Sequence, residues 1–174
     1  MGLGRLGSLV VRVGLLLGAL SGTGFTKDSP ISSSGLPVPR YVSLKSDHVN
    51  VRSGPTKDND VAWVYTRSGL PVEITAEFEN WRRVRDSEGA EGWVYHSLLS
   101  GRRTAVITMK RKDDLASLYE SSDEASAVVA RLQAGVLAQV KKCVSGWCHI
   151  AGSGFDGWIE QQRLWGVYAD EKVE

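Results

Sequence analysis

Six tryptophans, five tyrosines, three histidines and two cysteines are the residues of this 174-residue chain that could bind or react. Trp63 and Tyr65 lie two apart, a spacing that puts both rings on one face of a strand. Trp93 and Tyr95 repeat that spacing, and Trp81 stands between the two pairs. Flat rings with a polar tip hold extended or proline-rich peptides in shallow grooves. Trp63, Tyr65, Trp81, Trp93 and Tyr95 are therefore the candidate ligand-binding set. Two readings stand at this level: the rings line a groove, or they are packing, either within a small domain or against a neighbouring one.

Catalytic chemistry finds no comparable set. His48, His96 and His149 are far apart in sequence and none has the H-E-x-x-H spacing. Cys143, Cys148 and His149 could supply at most three metal ligands, with no second cysteine pair to complete a structural zinc site. Neither a G-x-G-x-x-G nor a P-loop motif is present. The expectation is a protein that is not an enzyme, with no catalytic residues, no cofactor and no metal. The cysteines flank Val144-Ser-Gly-Trp147, which reads as a hairpin turn. Residues on either side of such a turn can lie opposite each other at disulfide distance, and an oxidising compartment would favour a Cys143–Cys148 bond over two packed thiols.

Charge narrows the partners. Lys and Arg number 21 against 20 Asp and Glu, so no electrostatic surplus draws the chain to nucleic acid. Residues 41–103 hold nine basic and nine acidic side chains, whereas residues 113–174 hold five against ten. No nucleic-acid partner is expected from that balance.

The elements that must position these residues begin after an export signal. Arg5 and Arg12 precede the apolar run Val13–Leu20, and small residues follow at Ser21-Gly-Thr-Gly24. This pattern reads as a cleaved signal peptide over residues 1–24, with no stable membrane span afterwards. Without a cysteine near the exit, no lipid attachment is expected. Residues 25–40, rich in Ser and Pro, read as a flexible linker. The predicted location is the periplasm or the outside of the cell.

An internal repeat organises the remainder. Gly69 and Trp81 recur 66 residues later as Gly135 and Trp147; Gly92-Trp93 recurs 65 later as Gly157-Trp158, and Leu99-Ser-Gly101 as Leu164-Trp-Gly166. Two domains follow, at 41–108 and 113–168. In the first, Val72, Ile74, Ala76 and Phe78 alternate with polar residues, the period of a half-buried strand. Further strands are expected at Val49–Arg52, Ala62–Tyr65, Trp81–Arg85 and Gly92–Tyr95. The predicted class is all-β, two tandem small barrels of short strands and tight turns.

Asn50-Val-Arg-Ser-Gly-Pro55, Gly69-Leu-Pro-Val-Glu73, Trp81-Arg-Arg-Val-Arg-Asp86 and Glu91-Gly-Trp-Val94 resemble bacterial SH3-like domains, in a two-copy exported version. The resemblance covers roughly residues 41–168. It implies an SH3-like β-barrel fold and a non-catalytic binding role in the cell envelope, towards a peptidoglycan peptide or an envelope protein. The alternative it leaves is a structural adaptor or an accessory subunit of a cell-wall enzyme. The second copy departs from the pattern, with Leu118-Tyr-Glu-Ser-Ser122 in place of Val51-Arg-Ser-Gly-Pro55, and with Arg131 and Glu160 where Tyr65 and Tyr95 stand. Any ligand groove is therefore expected in the first barrel, with the second as a structural partner.

Overall fold

A computed structural model describes residues 1–2, 32, 34–109 and 114–174. The signal peptide expected at 1–24, apart from its first two residues, and most of the expected linker before residue 34 lie outside the described residues.

Short alternating segments pair into two antiparallel sheets. The first contains β1 (Arg40–Leu44), β2 (Val49–Arg52), β3 (Val61–Tyr65), β4 (Pro71–Phe78), β5 (Trp81–Arg85), β6 (Glu91–Tyr95) and β7 (Leu99–Ser100), in the spatial order β3-β2-β6-β5-β4-β1-β7. The second contains β8 (Thr104–Ile107), β9 (Leu115–Tyr119), β10 (Val128–Gln133), β11 (Leu137–Val144), β12 (Trp147–Gly152), β13 (Phe155–Glu160) and β14 (Leu164–Trp165), ordered β10-β9-β13-β12-β11-β8-β14. Each strand of the second sheet holds the place of the strand seven earlier, so the sequence repeat is a repeat of topology. The five strands expected in the first copy are all present; β1 and β7 complete the sheet.

One boundary differs from the expected 41–108. Thr104–Ile107 pairs with β11 and β14, as β1 pairs with β4 and β7, so it opens the second sheet rather than ending the first. The break falls at Gly101-Arg-Arg103, where strand structure lapses between β7 and β8. At the other end, residues 34–40 of the expected linker are tied to the first barrel. Ser34 donates its backbone N–H and its hydroxyl to Glu77 at 3.0 and 2.9 Å, Arg40 pairs with the same carboxylate at 2.6 Å, and Val38 packs on the core.

Two cores result from the alternation. Val49, Val51, Val72, Ile74, Val84 and Val94 fill the first, and Leu118, Val140, Ile150 and Ile159 are central to the second. The recurrent Gly-Trp pair has a steric cause. A Cβ on Gly92 would meet Val51 Cγ1 at 2.4 Å, and one on Gly157 would meet the Tyr119 carbonyl at 2.7 Å. Only glycine lets the sheet close against its own inner face there, while the following tryptophan points outward. In the second barrel Cys143 and Cys148 pair in register across the Ser145-Gly146 turn and form a disulfide, with Cα atoms 4.1 Å apart.

The barrels meet on β1 and β4. Tyr41 packs against Trp165 and Tyr168, with ring centroids at 5.3 and 4.6 Å. The Tyr168 hydroxyl donates to Glu73 at 2.9 Å, and Glu73, 4% exposed, also pairs with Arg85. Arg103 clamps Glu171 through two hydrogen bonds of 2.7 and 3.0 Å. Burial, reinforced by Glu73, pushes the Tyr41 hydroxyl up to about 12 and that of Tyr168 higher still.

Candidate functional site

The backbone register divides the five candidate rings between two faces. Val51 lies opposite Trp63 and Val49 opposite Tyr65, so these rings share the inward face of two fully buried valines and pack on the first core. Their centroids are 6.1 Å apart, edge to face. Tyr65 donates its hydroxyl to Asp86 at 2.9 Å; burial and that carboxylate push its pKa well above the usual tyrosine range. Both rings are half-buried, on the edge strand β3 of the first sheet. The contacts that join the barrels run instead through Tyr41 and Glu73 with their partners, through Ser43 and Gly69 on Thr104, and through Arg67, which donates to the Gly135 carbonyl.

Trp81, Trp93 and Tyr95 occupy the outer face. Trp81 pairs directly with Tyr95 across β5 and β6, and Trp93 lies between Arg83 and Arg52 on the neighbouring strands. The Trp81 and Tyr95 rings meet edge to face at 5.4 Å, and Tyr95 in turn lies 5.0 Å from the His96 ring. Trp81 is 7% exposed, so it forms a wall rather than a free platform.

These two rings, with Asn50, Arg52, Lys57 and Leu98, line a cleft of about 160 Å³. Three of the four residues beside the rings are placed by local structure. Asn50 and Arg52 are the outward residues of β2, alternating with buried Val49 and Val51. Arg52 is held by the loop it precedes, donating to the Asn59 carbonyl at 2.6 Å, and Asn59 itself caps Thr56 through its side-chain oxygen. Leu98 comes from the short 3₁₀ turn His96–Leu98 that follows β6. The cleft thus has an aromatic wall, two cationic side chains and no acidic one, a chemistry that suits a peptide with a carboxylate.

The second barrel keeps an aromatic pair that comparison of like positions missed. Tyr119 of β9 meets Trp147 edge to face at 5.6 Å and 82°, nearly the geometry of Tyr95 on Trp81 at 5.4 Å and 81°. The ring has moved from the strand after the hairpin to the strand before it. Tyr119 lies opposite Trp158 just as Arg52 lies opposite Trp93, so the tyrosine stands at the arginine's place. Beside it, His149 stacks on Trp158 at 5.2 Å and contacts Asp156 at 2.6 Å.

Among the described residues no group of three or more His, Cys, Asp or Glu could hold a metal ion, and no helix is long and apolar enough to cross a membrane. A family model described as bacterial SH3 domain matches residues 45–101 and again residues 112–166. No curated relative matches the chain. Among solved structures, NlpC2 from Trichomonas vaginalis is similar at 15% identity and a TM-score of 0.33, over 73% of this chain and 48% of that one. NlpC1 from the same organism is similar at 17% identity and a TM-score of 0.32, over 78% and 48%. The chain spans about half the length of these two proteins.

Proposed function

This chain belongs to the bacterial SH3 domain family in two tandem copies, and from that we propose a non-catalytic envelope module that binds a peptide across the outer face of its first barrel. The ligand class is a peptidoglycan stem peptide, or an envelope-protein segment ending in a carboxylate. The observation that carries this reading is the cleft walled by Trp81 and Tyr95 and flanked by Arg52 and Lys57. A peptide backbone lies against the rings while a carboxylate accepts charge-assisted hydrogen bonds from the guanidinium and the ammonium. Location in the envelope rests on the export signal read at residues 1–24, and the Cys143–Cys148 disulfide is in keeping with an oxidising compartment. N-terminal sequencing of fractionated protein checks export: a chain beginning between about residues 22 and 26 is expected, and intact Met1 in the cytosol refutes it.

Binding is tested with purified wall fragments and with soluble stem peptides. Tyr95→Ala and Arg52→Ala are expected to weaken the soluble interaction by about 2 kcal/mol, roughly thirtyfold, with the circular dichroism unchanged. Unaltered binding in both variants would remove the site.

A further inference from the structure

A hollow of about 450 Å³ on the second barrel overlaps the position of the cleft just described on the first, sharing the places of Lys57, Trp81 and Tyr95 and extending to the tail at Val167 and Asp170. Trp147 forms its wall as Trp81 does in the other barrel, backed by the Tyr119 ring. The charged positions around that wall are inverted. Lys57 lies five residues beyond Arg52, and Glu124 lies five beyond Tyr119, which holds the arginine's place against the Gly-Trp strand. Glu160 pairs directly with Trp147, where Tyr95 pairs with Trp81. Carboxylates of Glu124, Glu160 and Asp170 line the hollow, and no Lys, Arg or His is among its lining residues.

Two further features make this more than an acidic surface. Glu124 and Glu160 are close enough to share a hydrogen bond, and that contact with Glu160, joined by its charge, pushes the Glu124 carboxyl above its usual range. Arg163, on the flank, engages Glu160 at 2.9 Å. Gln161, 5% exposed, also lines the hollow. Its Nε2 donates to the Tyr168 and Glu171 carbonyls at 2.7 and 2.9 Å, which leaves Oε1 buried with no hydrogen-bond partner among the described residues. A buried carbonyl oxygen without a donor adds negative potential to the lining of a hollow that already holds three carboxylates.

We infer that the hollow at Trp147, Glu124 and Glu160 is a second binding site, for a peptide's cationic side chain carried on an aliphatic stem. The stem lies along the indole, the charged head meets the ring's negative face, and the two carboxylates accept its N–H groups. The site is independent of the first-barrel reading, and the protein then grips oppositely charged groups with its two barrels.

Isotope-labelled full chain is titrated with Nα-acetyl-lysine methylamide, with its arginine counterpart, and with the uncharged norleucine counterpart, following the Trp147 indole N–H and the Gln161 amide. Saturable shifts are expected with lysine or arginine, at least about tenfold tighter than with norleucine, while the Trp81 indole stays in place. Glu124→Gln, at an exposed position, is expected to weaken binding about fivefold or more, and Glu160→Gln to do the same. Absent shifts, equal shifts with norleucine, or affinities unchanged in both variants overturn the inference. Because the readout is Trp147 and the ligand is a cation, the result is separate from any outcome at Trp81 with a stem peptide.

Discussion

At the scale of single residues, the direction in which a ring faces decides what its loss will do. Trp63 and Tyr65 face inward with Val51 and Val49, although their spacing alone suits a groove equally well. Truncating either leaves a gap beside the first core, so Trp63→Ala and Tyr65→Ala are each expected to cost about 2 kcal/mol or more of stability in chemical denaturation. Tyr95→Ala, on the outer face, is expected to cost less stability than either of these variants while weakening ligand. Equal stability in all three variants would contradict the division into faces. The candidate rings were legible in the sequence; their split was not, because side-chain alternation names two faces without saying which is inside. The valines on β2 settle it, and they do so only once the register of β2 with β3 is known. Tyr119 escaped for another reason. A residue that replaces Arg52 in one copy takes over the packing of Tyr95 in the other, and a position-by-position comparison cannot reveal a ring that arrives from a neighbouring strand.

At the scale of elements, the alternation of β4 and the turns around it were readable because each strand carries its own periodicity. The start of β1 and the assignment of β8 were not. Both depend on pairing with strands distant in sequence, and Ser34–Arg40 carries no periodic signal at all. What holds that segment is Glu77. Burial alone would raise this carboxyl, but hydrogen bonds from Ser32, Arg40 and Ser34 outweigh it and hold the group at about 2. A depressed folded pKa means that the stabilisation is complete above the ordinary value of 4.5 and is lost as pH falls towards 2. The Ser34 amide, which donates to Glu77, is therefore expected to lose hydrogen-exchange protection across that window, while amides of β5 and β6 keep theirs. In Glu77→Gln the Ser34 amide should be less protected already at neutral pH. Protection of Ser34 that is indifferent to both changes would show that the segment is held by Val38 alone.

At the scale of the whole molecule, the two barrels are joined by polar and aromatic contacts that no sequence period could announce, since their members come from β1, β4, β8, β14, the tail and the loops at Arg67–Gly69 and Gly135. Tyr41 lies between Trp165 and Tyr168, and Glu73 is buried with Arg85 and the Tyr168 hydroxyl as partners. Tyr41→Ala removes both aromatic contacts, each worth about 0.5–1.5 kcal/mol beyond burial. The variant is expected to unfold in two calorimetric transitions where the parent unfolds in one, and to scatter X-rays as a more extended particle. A single, unshifted transition would mean that the barrels do not depend on this contact. The position of the joint bears on function, because it leaves the Trp81–Tyr95 cleft on an open face of the first barrel.

The central claim is that this open face receives the ligand, and the six tryptophan indoles of the chain make it directly observable. Titrating labelled protein with a stem peptide bearing a free carboxylate and recording the indole N–H signals reads every relevant surface in one spectrum. Saturable shifts at Trp81 and Trp93, with Trp63 and Trp165 unmoved, are the predicted result. Shifts at Trp63 or Trp165 with Trp81 and Trp93 silent would contradict the account.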